Sequence, residues 1–484
     1  MKELLAKAVN RLQYAESMSR TEDDLIRRTR GVVLATVALL TCALIGSVVV
    51  WRVRLSYEVN ERLRALQQAG LPTSGTELNQ WYASVPDSEN AALVLTQAFA
   101  LMRTFPDQRS NEVSRFKPPP RGQALTSEQK ALLSDYAELN APAMAKAQEA
   151  ITLPKSRYPI DFSPGATVLL LPHLGKLKGL AQTANYSALV KLGSNSNKDV
   201  PAAITTMLGL ARTLDEEPFH ISQLVRIAIV CLAATTLERS LVTGEWSDVE
   251  LNSVGSAVAA AERTNAMMRA LIGERASAIP YFRMSRREWD EVRRSAPSTG
   301  EGDAELIDSM MPGLIPRLAW VTGFFERDLG FYLEAMETNI AFASLPFPRN
   351  VAVCTNLVSQ QELAANRHHY LLSGLLLPSV DRALIRESEC AAYLIMARTA
   401  LALERFRLAN DRLPKDLGEM VPRFLLAIPL DPFDGASLRY KLLPTGYVVY
   451  SIGPDGHDDG GKEPPVRRRG SEHVPEDITL TVER

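Results

Sequence analysis

The sequence GVVLATVALLTCALIGSVVVW, at residues 31–51, carries no charged side chain over 21 residues. An α-helix of that length measures about 31 Å, close to the roughly 30 Å hydrocarbon core of a bilayer. Trp51 ends the run, where an indole ring prefers the membrane interface, and arginines stand on both sides. A cleaved signal peptide usually has a shorter apolar core and begins nearer the N-terminus. The pattern therefore favours an uncleaved transmembrane helix.

The charges around this segment bear on its orientation. Within about fifteen residues of the segment, each flank carries four Arg and no Lys, which leaves the positive-inside rule nearly tied. Lys2, Lys7 and Arg11 add further positive charge before it. We therefore expect a single-pass protein of the bacterial inner membrane, with the N-terminus in the cytoplasm and the bulk of the chain in the periplasm.

Small residues recur along one side of the same segment. Ala38, Cys42 and Gly46 lie four apart, which is the spacing that lets transmembrane helices approach closely. Oligomerisation through this helix is one interpretation, and a chance pattern in an alanine-rich segment is the other.

The composition limits the classes of protein to which the chain can belong. It has 484 residues, 46% of them apolar, which is enough for two to four domains with buried cores. With 54 Lys plus Arg and 56 Asp plus Glu, the net charge is −2, which argues against a nucleic-acid binder. The 4 cysteines are too few for a disulfide framework.

The periodicity along the chain predicts a mainly α fold with a small α+β module at the C-terminus. We expect an irregular α-helical repeat or bundle as the body. The predicted units are a cytoplasmic amphipathic helix at 1–30, the transmembrane helix at 31–51, a helical stalk with a Pro-rich linker at 52–125, an α-helical repeat-like domain at 126–380, and a long helix with a β module and a charged tail at 381–484.

Individual helices follow from caps and apolar spacing. Thr126 and Gln129 form a capping-box pattern that opens one helix running to about Ile151. Further helices are predicted at Leu177–Leu192, Asp199–Leu214, Ile221–Val242, Asp248–Arg263, 264–291, 304–341, 348–373 and Asp381–Asn410, with a polar turn at 193–198 and a loop at 295–303. Short β runs at Leu438–Leu442 and Tyr447–Ser451 predict a hairpin.

The segment ARTALALERFRLANDRLPKDLGEMV, continued by AIPLDPFDGASLRYKLLPTGYVVYSIGPDG, resembles the globular part of the type II secretion major pseudopilins. The resemblance covers about 397–480 and implies a helix packed on a small antiparallel sheet, with Asp-Pro and Asp-Gly in the turns. The whole chain also resembles single-span envelope proteins of planctomycete and verrucomicrobial type. The residues that match the pseudopilin module are Asn410, Pro414, Asp431, Pro432, Tyr440, Tyr450, Ser451, Gly453, Asp455 and Gly456.

The resemblance also implies a calcium site, because the corresponding acidic loop of the pseudopilins binds this ion through oxygen ligands. Asp455 matches an aspartate of that loop and Asp477 matches its closing aspartate, while Asp458 and Asp459 are further oxygen donors. A solvated acidic turn is the alternative interpretation. No other cofactor is predicted.

Other candidate chemistry is weak. His368 and His369 are adjacent, and Glu362 and Asn366 share a helical face with His369, but a solvated helix face explains them as well as a metal site. His173 and His220 fit structural positions.

The main functional hypothesis is a membrane-anchored extracytoplasmic scaffold or protein-binding protein without an evident catalytic site. One alternative is an accessory subunit of a type II secretion or type IV pilus-like machine, and another is an enzyme with an unrecognised site. The expected partners are the membrane and other envelope proteins, and no nucleic acid.

Overall fold

The computed structural model describes residues 1–163, 171–192, 199–243, 245–262, 265–285, 287–288, 291, 322–368, 370–462 and 477–484. Helices account for 67% of the structure and strands for 5%, and the strands form a C-terminal sheet, so the prediction of a mainly α-helical chain is confirmed. The described residues do not include the predicted turn at 193–198, the predicted loop at 295–303, the first part of the predicted helix 304–341, or the side chains that would form the amphipathic face of the N-terminal helix.

The elements are numbered in chain order through the part of the chain that the structure describes. The helices are α1 (Lys2–Gln68), α2 (Gly75–Trp81), α3 (Ala91–Leu101), α4 (Arg109–Arg115), α5 (Ser127–Leu139), α6 (Ala141–Ala150), α7 (Pro172–Lys191), α8 (Val200–Arg212), α9 (His220–Thr243), α10 (Asp248–Ala261), α11 (Ala266–Arg283), α12 (Phe324–Ala343), α13 (Arg349–His368), α14 (Leu371–Leu376) and α15 (Val380–Asn410). The strands are β1 (Arg439–Leu443), β2 (Gly446–Ser451) and β3 (Ile478–Glu483).

The helix predicted from Thr126 to about Ile151 is two helices, α5 and α6. The capping box at Thr126 and Gln129 is present, as expected. The helix is interrupted at Asn140. The side chain of Asn140 accepts a hydrogen bond from the backbone N–H of Arg103 at 2.9 Å and donates one to the backbone carbonyl of Arg103 at 3.1 Å. Pro142 then stands in the first turn of α6, where its missing N–H is harmless.

The helix predicted at 348–373 is also divided, into α13 and α14. A buried carboxylate from another helix opens the second piece, because Asp328 of α12 accepts from the backbone N–H of Leu372 at 2.8 Å and of Ser373 at 3.2 Å. A cap supplied by a distant helix leaves no local signal, so the sequence pattern alone missed this boundary.

Two large hydrophobic clusters organise the body. The first, here named the α1 core, consists of Val59, Leu63, Leu66, Met267, Ala270, Leu271, Ala278, Ile279, Phe282, Phe325, Leu329, Tyr332, Leu333, Met336, Ala343, Leu372, Val380, Ala383 and Leu384. The second, here named the sheet core, joins buried side chains of α3, α6, α7, α8, α9, α10, β2 and β3 to residues 390–406 of α15. Helix α15 passes through both cores and connects them.

The sheet is antiparallel in the order β1-β2-β3. The predicted hairpin is confirmed, with Arg439 paired with Tyr450 and Leu443 with Gly446. A side chain at Gly446 would place its Cβ 1.8 Å from the carbonyl oxygen of Val482 on β3, so this position tolerates only glycine. Strand β3 lies against α9 and α15, which ties the C-terminus to the helical body.

Candidate functional site

The middle of α1, residues 31–51, is an apolar stretch that no other described part of the protein covers. Two helices of the described chain are long and apolar enough to cross a membrane, Arg27–Gln68 and His220–Thr243. In the first, the most apolar window has a mean hydropathy of 2.6 and none of it is buried. In the second, 61% of the window is buried, which is typical of a core helix.

The second part of α1 packs into the body without any break in the helix. Val59, Leu63 and Leu66 are buried in the α1 core, where they meet α12. The two helices run in the same direction, because residue 52 of α1 pairs with residue 326 of α12 and residue 62 pairs with residue 334. These ion pairs join Arg52 to Glu326 at 3.2 Å and Arg62 to Glu334 at 3.5 Å. The exposed apolar stretch at 31–51 and the buried stretch at 59–66 are therefore parts of one continuous helix.

The structure brings together three of the four predicted calcium ligands. Burial, together with the nearby charges of Asp458 and Asp459, raises the pKa of Asp477. The Asp477 carboxylate accepts from the backbone N–H of Gly461 at 2.7 Å and of Asp459 at 3.3 Å. Asp455, the fourth, accepts from a backbone N–H of its own turn.

As they are arranged, these carboxylates do not form a calcium site. Asp458 faces the guanidinium of Arg439, with 3.1 Å between Oδ2 and Nε, and its Oδ1 accepts from the backbone N–H of Gly460 at 2.9 Å. Calcium requires six to eight oxygen ligands directed at one point. In the described part of the chain, no group of three or more His, Cys, Asp or Glu side chains is positioned to hold a metal ion. Calcium binding therefore stays a prediction that requires this loop to rearrange.

A different aspartate is the centre of the C-terminal module. Asp431 is buried and accepts from the Ser451 hydroxyl at 2.8 Å and from the backbone N–H groups of Ile452 and Phe433, both at 3.0 Å. Its Oδ2 also lies 2.8 Å from Nη1 of Arg439. Asp431 matches the resemblance, but nothing in the sequence alone indicated that it connects the turn, the hairpin and the loop.

A second buried carboxylate holds the C-terminus. Glu404 of α15 accepts from the Tyr447 hydroxyl at 3.1 Å and pairs with Arg407 at 2.9 Å and with Arg484 at 2.8 Å. The signal that could have found it is a glutamate that directly follows the apolar run 400–403 on a buried helix.

The predicted structural role of His173 agrees with its surroundings. Its Nε2 donates to Glu217, with both carboxylate oxygens at 3.0 Å, and its ring stacks on Tyr158 with the centroids 4.2 Å apart. The Ser222 hydroxyl donates to the same carboxylate at 2.6 Å. The carboxylate is buried between both donors, so the serine is not activated as a nucleophile by a neighbouring histidine.

The predicted histidine pair, His368 and His369, lies at and beyond the end of the described α13. His369 and the side chains of Glu362, Asn366 and His368 lie outside the described residues. Comparisons with protein-family models, with curated proteins and with solved structures find no match for this chain.

Proposed function

We propose that this protein is a single-span membrane anchor that carries an extracytoplasmic scaffold, which binds other envelope proteins through its helical body. The N-terminus lies in the cytoplasm, residues 31–51 cross the membrane, and the body stands on the far side. The observation that carries the proposal is the continuity of α1, from an uncovered apolar helix into the α1 core.

The continuity matters because it fixes the body relative to the membrane. A helix rises about 1.5 Å per residue, so Val59 lies about 12 Å beyond Trp51. The body is thus held close to the bilayer by packing and ion pairs rather than by a flexible linker. A helical body held at a fixed height can present an extended surface to partner proteins.

Membrane extraction of cells that express the full chain tests the anchor. We expect the wild-type protein to stay in the membrane fraction after washing at high pH. Leu39→Arg combined with Leu44→Arg should release it, because each arginine at the centre of a span costs about 3 kcal/mol of insertion. Tyr57→Arg is the matched control, since this side chain is exposed on the same helix but lies beyond the span.

Fusion reporters test the orientation. Alkaline phosphatase is active only outside the cytoplasm, so we expect activity when it is fused after Arg484 and none when it is fused before Met1. The reverse pattern would place the body in the cytoplasm and reject the extracytoplasmic scaffold. Crosslinking in intact cells, followed by capture of the full chain, then identifies which envelope proteins it contacts.

The second candidate function is an accessory subunit of a secretion or pilus-like machine. The packing of α15 on β2 and β3 supports it, because this is the arrangement that the pseudopilin resemblance implies. N-terminal sequencing of the mature protein separates the two candidates. A new N-terminus next to Gly31, with secretion components among the captured proteins, favours the machine; an intact Met1 with other partners favours the scaffold.

A further inference from the structure

One arginine lies within the apolar interface between α11 and α12. Arg275 is 2% exposed and lies on the same face of α11 as Leu271, Ala278 and Phe282, all members of the α1 core. The opposing helix, α12, contributes Tyr332 to this interface, and the charge of Arg275 opposes the rise that burial causes in the pKa of this tyrosine. A guanidinium stays charged in proteins, so burial at this position carries a large desolvation cost.

The guanidinium presents an open edge. Nε and Nη2 are both buried, and neither finds a hydrogen-bond acceptor among the described residues. These two N–H groups point the same way and form the edge that binds a carboxylate or a phosphate through two parallel hydrogen bonds. The acid whose charge acts on Arg275 is Glu337, which is exposed, and no ion pair joins these two side chains in the described structure.

Two further buried polar groups lie on one face of α12. Tyr332 and Asn339 are two turns apart on α12, 0% and 1% exposed, and the Tyr332 hydroxyl and the Asn339 Oδ1 have no partner in the described structure. Burial raises the pKa of Tyr332, so its hydroxyl stays protonated and can donate. Buried polar groups in folded proteins almost always have partners, so several unpaired groups together indicate a missing one.

We propose that the edge of Arg275 and the hydroxyl of Tyr332 form a binding site for a small oxyanion, a carboxylate or a phosphate, inside the α1 core. The ligand accepts two hydrogen bonds from the guanidinium and one from the phenol. The site is independent of the proposed membrane function, because it needs only the packing of α11 on α12.

Thermal unfolding of the full chain in detergent tests the site. The probes are inorganic phosphate and acetate, each titrated at constant ionic strength against chloride. We expect a saturable rise in the midpoint of at least about 2 °C for wild type with one of the probes. Arg275→Met should remove the rise, while Arg269→Met, an exchange of a half-exposed arginine on the same helix, should keep it.

The responses to the two probes identify the ligand class, since a rise with phosphate alone assigns a phosphate and one with acetate alone assigns a carboxylate. A rise that persists in Arg275→Met would reflect a general salt effect and overturn the proposal, as would the lack of any rise in wild type. If Arg275→Met does not fold, the test is the broadening of the ³¹P signal of phosphate, measured with wild type and with Arg275→Lys. The two binding curves are then compared. We expect saturable binding that weakens about tenfold in the lysine variant, because an ammonium cannot form the paired contact.

Discussion

The sheet core lies beside buried carboxylates that are fully paired, whereas the α1 core holds both a paired carboxylate, Asp328, and two buried polar groups without a partner in the described structure. Around the sheet core, Glu404 and Asp431 each accept hydrogen bonds or ion pairs from at least three donors, and the Glu217 carboxylate accepts from two, His173 and Ser222. In the α1 core, Arg275 and Tyr332 are buried to the same degree and have no partner among the described residues.

Whether a buried polar group has partners distinguishes groups with a structural role from groups that could bind a ligand. A buried carboxylate with all its acceptor positions occupied connects segments that are distant in sequence, and it has no free oxygen with which to bind a ligand. An unpaired buried cation destabilises the fold unless a ligand completes it. The proposed oxyanion site rests on such unpaired groups, whereas the predicted calcium site rests on carboxylates that already have partners.

The largest expected effect comes from removing the buried carboxylate of Asp431, which is fully hydrogen-bonded. Asp431→Ala should lower the free energy of unfolding of the C-terminal module by about 3–5 kcal/mol, because it leaves Arg439 and buried N–H groups without their acceptor. Asp434→Ala is the matched control: Asp434 also pairs with Arg439, at 2.6 Å, but is partly exposed, so about 1 kcal/mol or less is expected. Urea unfolding measures both. Equal losses would show that the burial of Asp431 adds nothing.

Two buried arginines test the comparison directly. Arg226 is 3% exposed and donates from Nε to Gln223 at 2.8 Å, whereas Arg275 is 2% exposed and unpaired. Arg226→Met should destabilise the protein by about 2 kcal/mol. Arg275→Met should instead stabilise it by about 1 kcal/mol in buffer without phosphate or carboxylates. Denaturant titrations of the two variants would contradict the comparison if both moved in the same direction.

The rigid mounting of α1 is tested by a pair of identical exchanges. Val59→Ala should cost about 2 kcal/mol, since Val59 is 5% exposed and the exchange leaves a cavity in the α1 core. Val53→Ala, on the same helix but 64% exposed, should cost less than about 0.5 kcal/mol. Thermal midpoints of the two variants in the same detergent give the comparison. Similar values would mean that α1 does not share the core of the body.

A buried glutamate between the two cores predicts a pH dependence. Burial raises the pKa of Glu387 to about 7, although the charge of Arg226 opposes this. Because the folded state holds the proton more tightly, the stabilisation is full below the unfolded pKa of 4.5 and is lost as the pH rises through 7. We expect Glu387 to contribute a loss on the order of 2 kcal/mol between pH 5 and 8. Glu387→Gln should keep only the separate loss from Glu274, whose pKa burial also raises to about 7. Urea titrations at four pH values across that range would detect the difference.

The smallest expected effect concerns the acidic loop. Addition of about 2 mM calcium should leave the unfolding midpoint unchanged, because the carboxylates of Asp458 and Asp477 already bind N–H groups and Arg439. A saturable rise that Asp477→Asn abolishes would show that the loop rearranges around the ion, as the resemblance implies.

Much of the helical architecture was accessible from the sequence. The apolar run at 31–51, the capping box at Thr126 and the turn at 443–446 between β1 and β2 are local signals, which do not depend on contacts with distant parts of the chain. The two divided helices show the limit, because Asp328 caps α14 and Arg103 holds Asn140 only after the chain has folded.

By itself, the sequence determined that the chain is mainly helical, that one segment near the N-terminus is long and apolar, and that a small sheet closes the C-terminus. Periodicity, charge and turn residues encode these features within short windows. Only the tertiary structure decided which polar residues are saturated, because Asp431, Glu404 and Arg275 obtain or lack their partners from segments far away in the chain. Hydrogen bonding is a property of position in space, and no short stretch of sequence specifies it.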